Sequence, residues 1–170
     1  MIGVALIPVV VALAVEQPIT ADVATLAAEA LLDAEGGSPA QRRDALRLLD
    51  RLGAHPADAA DDPRPALRAQ ARIQPETTRG RLLGPAFRRG EVGGGAVWTI
   101  EQTFLAGRPT TVALASRPRQ AAVLGIDGPD TAVRCAAAVR CSWVPKFTER
   151  YRITVTNAAP GPARFVLVTN

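Results

Sequence analysis

The sequence predicts a mainly β protein: a seven- to eight-stranded antiparallel β-sandwich, jelly-roll-like, preceded by an α-helical hairpin. Three observations carry this. Apolar residues recur at helical spacing before residue 53 and at a spacing of two after residue 96. Turn signals punctuate the second half at roughly eight- to twelve-residue intervals, as in sandwiches. Between the two halves, Pro, Gly and Arg crowd a stretch that reads as linker.

The chain opens MIGVALIPVVVALAVEQ, with an apolar run over residues 2–15. That run is short of the ~20 residues a membrane-crossing helix needs, so no stable membrane span is expected. Its length suits the apolar core of a signal peptide, and Ala12-Leu13-Ala14 suits the small-residue cleavage site, so residues 1–14 are read as a leader. No Lys or Arg precedes the run, which departs from the usual pattern.

Residues 20–53 form the expected hairpin. Val23, Leu26, Ala27, Ala30, Leu31 and Ala34 make one apolar stripe, stopped by Gly36-Gly37. In the second helix Ser38 can cap, Pro39 fits the first helical position, and Gln41 can complete a capping box. Ala45, Leu46, Leu48, Leu49 and Leu52 form its apolar face, and Gly53 supplies a left-handed stop. The pair resembles one unit of a tetratricopeptide-like repeat; a single unit cannot bury its outer face, which implies docking on the rest of the chain or on a partner.

Residues 54–95 read as a linker, with a short helix from Pro65 to about Ile73 and a flexible GEVGGG boundary over residues 90–95. From Ala96 onward, VWTIEQTF places Trp98, Ile100, Gln102 and Phe104 on one face. TTVALAS, AAVLGI, TAVRC, RCSWV, RYRITVTN and RFVLVT follow as strands of the unit 96–170, split by turns such as Asp127-Gly-Pro-Asp130 and Ala159-Pro-Gly-Pro162. Tyr151, Ile153 and Val155 alternate with Arg150, Arg152 and Thr154, so one face of that strand is buried and the other wet.

Charge divides along the chain. Residues 1–62 hold four Arg against ten acidic residues, whereas residues 63–170 hold sixteen basic against six acidic. Nineteen of the twenty basic residues are Arg, but no basic run carries interleaved aromatics, so nucleic acid is not the expected partner. The two cysteines, Cys135 and Cys141, stand in a β-rich segment with five residues between them. In an exported chain they are expected to close as a disulfide. A zinc site would need more ligands than these two and the single His55 supply.

Residues 143–157 spell W-V-P-x-F-T-x-x-Y-x-I-x-V-x-N, followed by a turn and F-V-L-V-T. This pattern resembles the C-terminal half of the bacterial pre-peptidase C-terminal domain, and WTIEQTFLAGRPTTVALAS is similar, more weakly, to its first strands. The resemblance spans residues 97–170. It implies a small β-sandwich in which Trp143, Tyr151, Ile153, Val155 and Phe165 are core. It further implies a non-catalytic module, of a kind that accompanies secreted enzymes and in some members binds calcium or extracellular polymers. Two features depart from the family. Asp127 and Asp130 alone offer carboxylates for calcium, where six to eight oxygens are wanted, and Glu149-Arg150 stands where a Gly precedes the family's Tyr.

Catalysis finds little support. His55 lies in the linker, far in sequence from Cys141 or any hydroxyl nucleophile, and the only glycine-rich stretch lacks the Lys of a phosphate loop. The expectation is therefore no enzyme, no cofactor and no metal. The chain reads as a periplasmic or secreted accessory module that contacts an anionic envelope polymer or another exported protein. Arg150, Arg152 and Arg164 are the candidate contacts; a solvated strand face is the alternative for them. In a second reading, the hairpin is an adaptor that holds a partner and the sandwich is a spacer. Deletion of residues 20–53 would separate the two.

Overall fold

Asp22 begins the first helix by accepting the Thr25 backbone N–H at 2.9 Å, the usual N-cap. The computed structural model describes residues 22–76, 84–128 and 134–170, so the leader expected at 1–14 lies outside the described residues. Helix α1 runs Val23–Gly36 and α2 Pro39–Leu52. The Ser38–Gln41 capping box forms in both directions, and Gly53 takes the left-handed conformation at φ 64°. The burial of α1 is broader than one stripe: Ala24, Ala27, Ala28, Ala30, Leu31, Leu32 and Ala34 are all buried, while Leu26 is exposed. The reason is that α1 packs on two neighbours, α2 on one side and a β-sheet on the other.

Among the described residues nine strands follow: β1 His55–Pro56, β2 Ala86–Val92, β3 Val97–Phe104, β4 Thr110–Arg117, β5 Ala122–Asp127, β6 Arg134–Ala138, β7 Arg140–Trp143, β8 Glu149–Asn157 and β9 Ala163–Thr169. Sheet I has the order β1-β2-β9-β4-β7 and sheet II the order β3-β8-β5-β6. All pairings are antiparallel except the short β1–β2 pair. The mainly β sandwich with its leading hairpin is thus the observed fold.

The two sheets enclose one core, made of Val112, Leu114, Leu124, Ile126, Tyr151, Ile153, Val155, Phe165 and Leu167 with their neighbours. A second core lies on the outer face of sheet I, where Phe87, Ala113, Ala115, Val166 and Val168 meet Leu31, Leu46 and Leu49 of the hairpin. Sheet I is therefore buried on both faces, and the molecule has three layers. Leu31, Leu46 and Leu49 are fully buried; each such side chain contributes roughly 1.5–3 kcal/mol.

The expected linker is more structured than its composition implies. It contains the short helix as α3, Arg64–Ala71, and in addition it supplies β2, a full strand of sheet I. AFRRGEV hid as a strand because it lacks an alternating apolar pattern. Gly90 is required there by close approach: a Cβ at that position would stand 2.8 Å from the ring of Phe165.

Candidate functional site

Cys135 and Cys141 form a disulfide with a Cα–Cα distance of 6.0 Å. Their strands, β6 and β7, belong to opposite sheets, so the bond ties sheet II to sheet I at one edge. This also removes the Cys141 thiol from any nucleophilic role. His55 could not assist it in any case, because β1 and β7 are opposite edges of sheet I.

The aromatic motif residues are packing groups. Phe104, Trp143 and Tyr151 form a cluster with ring centroids 5.1 to 5.7 Å apart. Trp98 meets Phe165 at 5.1 Å. Tyr151, Ile153, Val155 and Phe165 are buried. Tyr151 Oη and Trp143 Nε1 are buried without hydrogen-bond partners, so these rings contribute apolar area and no polar contact. Asn157 ends the motif and is also fully buried. Its side-chain amide donates to the carbonyls of Val92, Gly93 and Gly161, and its Oδ1 accepts the Ala159 N–H.

The three candidate arginines do not share a face. Arg150 and Arg152 project from the outer face of sheet II, on alternate positions of β8. Arg150 pairs with Glu101 at 3.2 Å. Arg152 lies in one row with Glu101 of β3 and Asp127 of β5, its partners across the sheet. These four charges border a shallow depression of about 400 Å³. The face is therefore of mixed sign. Asp127 stands on it, whereas Asp130 lies outside the described residues. Among the described residues, no group of three or more His, Cys, Asp or Glu is placed to hold a metal.

Arg164 is on β9, on the hairpin side of sheet I, opposite Glu91 of β2. It borders a groove of about 660 Å³ whose other charged walls are Glu35, Asp61, Asp62, Arg89 and Glu91. Asp62 is held by Arg64, whose guanidinium donates to both carboxylate oxygens at 2.8 Å and to the Ala54 carbonyl, and lies 5.4 Å from the Phe87 ring centroid. Burial pushes the Asp62 pKa up. The hydrogen bonds from the Arg64 side chain and backbone and the charges of Arg64 and Arg68 outweigh that, and the pKa is lowered.

Sequence reasoning missed the main electrostatic feature, a seam between hairpin and sandwich. Arg117 of β4 reaches Asp33 at 2.7 Å and Glu29 at 3.6 Å, Arg89 of β2 reaches Glu35 at 3.2 Å, and Arg140 of β7 meets Asp22. The acidic first part and basic second part of the chain thus meet inside one molecule. The signal was the charge division itself, which on the sequence alone pointed outward to a partner.

No family model matches the chain, and no curated protein matches its sequence. Among solved structures, one similar to it is PliG of Aeromonas hydrophila, a periplasmic lysozyme inhibitor of g-type lysozyme. It is 15% identical over 51% of this chain and 84% of its own, with a TM-score of 0.43. Another is a mutant of PliG from Escherichia coli, 15% identical over 56% of this chain and 92% of its own, TM-score 0.40. The pre-peptidase C-terminal domain of a Bacillus anthracis collagenase is 11% identical over 49% of this chain and 87% of its own, TM-score 0.42.

Proposed function

We propose that the chain is a non-catalytic, exported binding module of the bacterial cell envelope, periplasmic or secreted, with its ligand surface on the outer face of sheet II around Arg150 and Arg152. The observation that carries this reading is the mixed-sign row Glu101–Arg152–Asp127 beside Arg150. A polyanionic polymer would meet two carboxylates along with the two guanidiniums. A folded exported protein with a complementary pattern of charge fits the row better, since such patterns select partners and register. The inter-sheet disulfide and the leader expected at 1–14 support export.

The test has two parts. The intact mass of the chain recovered by cell fraction, alkylated with and without reduction, is expected to show cleavage near residue 14 and thiols that react only after reduction. A full-length cytoplasmic chain with free thiols overturns export. Cross-linking in the periplasmic fraction is then compared for wild type and the Arg150→Glu/Arg152→Glu variant. A loss of about tenfold in a defined adduct is expected; an unchanged adduct rejects this face.

One observation favours the adaptor reading. On the outside of the hairpin, Leu26, Ala30 and Leu48 line a groove of about 420 Å³ rimmed by Glu29, Asp33, Asp44 and Arg51. Deleting residues 20–53 no longer separates the readings, because it would strip the cover from sheet I. Leu26→Glu does separate them, since Leu26 is exposed in the groove and stands outside the buried core: loss of the adduct in this variant alone identifies the hairpin as the binding element.

A further inference from the structure

Among the described residues six large apolar side chains are exposed, and three of them share one place. Leu105 follows β3, and Val144 and Phe147 lie between β7 and β8; they are 50%, 54% and 65% exposed. The two loops are one unit. Gly107 donates its N–H to the Pro145 carbonyl at 2.8 Å, and Ala106 donates to Thr148 Oγ1 at 3.0 Å. Pro109 and Pro145 further limit their backbone freedom. Phe147 is the one exposed ring; the other six aromatic side chains of the chain are buried or half-buried. Apolar groups scattered singly over a surface need no explanation, but three on a rigid tip do.

We propose that this tip is a membrane-contact site, which places Phe147, Val144 and Leu105 in the interfacial zone of an anionic phospholipid bilayer with Arg108 at headgroup level. Arg108 is exposed on the loop that follows β3. Each cation held at an anionic leaflet raises partitioning about fivefold, and apolar side chains beside cations are what interfacial binding requires. The loop amides of Ala106 and Gly107 already have acceptors, so immersion would leave neither unsatisfied. A bilayer closes around a narrow projection. A stable protein interface needs about 800 Å² per partner, more than two short loops with three apolar side chains present. The site lies apart from the Arg150–Arg152 row and goes beyond the binding function proposed above.

The experiment is sedimentation of the full chain with vesicles of phosphatidylglycerol and phosphatidylcholine, and with phosphatidylcholine alone. Wild type is compared with Leu105→Ser/Val144→Ser/Phe147→Ser and with Arg108→Glu. Any contribution from the apolar residues 2–15 is common to all variants. The serine variant is expected to lose at least tenfold in partitioning, and Arg108→Glu, a change of two charges, more than fivefold and on anionic vesicles only, both with unchanged circular dichroism. The Phe147→Trp variant is expected to shift its emission to the blue on vesicle addition, relative to wild type under the same conditions. Equal partitioning of wild type and the serine variant overturns the proposal, as does an emission of the Phe147→Trp variant that vesicles leave unshifted. A serine variant that keeps its vesicle binding but loses a cross-link to an exported protein overturns it as well, and makes the tip a protein-docking loop.

Discussion

Asn157 shows how a single side chain can close a sandwich. Three carbonyls from two separate turns converge on its amide, from residues 92–93 and from Gly161. Asn157→Ala leaves these buried acceptors without their donor, and a loss of ~2–3 kcal/mol is expected in chemical denaturation. Asn157→Asp, which keeps the size but turns a buried carboxylate toward three carbonyl oxygens, is expected to lose more. The position was legible as the end of a motif, because it follows Tyr151, Ile153 and Val155 at the same spacing of two. Its task was not legible, since two of its three acceptors lie 65 and 64 residues earlier in the chain. The aromatic residues were easier to read: with only seven in the chain, the alternating ones had to be core.

At the scale of elements, legibility followed pattern. The seven strands expected from period-two spacing have counterparts in β3 to β9, although residues 129–133, part of the expected TAVRC strand, lie outside the described residues. TVALA in β4 and FVLV in β9 are continuous apolar runs. Such runs belong to strands covered on both sides, so they already carried the information that a second layer packs on sheet I. The strand β2 left no such trace, because its apolar side chains are only Ala86, Phe87 and Val92, with Gly90 between them. The α3 segment is anchored by the Asp62–Arg64 clamp, and this has a pH signature. The Asp62 pKa is lowered from 3.8, so its stabilisation is fully present above the unfolded value, ~3.9, and is lost as pH falls through the folded value. The stability gap between wild type and Asp62→Asn, followed by thermal melts, is expected to be constant from pH 7 to 5 and to narrow below about pH 4.

Over the whole molecule, two kinds of contact join hairpin and sandwich, and their sizes differ. The ion pairs are half-exposed; the Arg117–Asp33 pair has side chains 28% and 48% accessible. Exposed pairs contribute about 0.2–1 kcal/mol, so Arg117→Ala is expected to cost less than ~1 kcal/mol, and less again in high salt. Leu31→Ala opens a cavity between α1 and sheet I, and a loss of ~3 kcal/mol is expected in the same denaturation assay. The apolar seam holds the layers together, and the ion pairs add little to it. That arrangement was unreadable from composition, because a net charge of +4 averages over two halves of opposite sign.

The order of sheet I has a consequence for the timing of folding. Strand β9, last of the nine in chain order, lies in the interior of sheet I between β2 and β4. During synthesis every other described element emerges before it. Until residues 163–169 are available, β2 and β4 have no common neighbour, and α1 lacks part of the surface on which it rests. Pairings this distant in sequence are closed late and slowly. Sheet I of the nascent chain therefore stays incomplete until its keystone strand appears, and layers that are not yet closed on one another can still be threaded through a narrow channel.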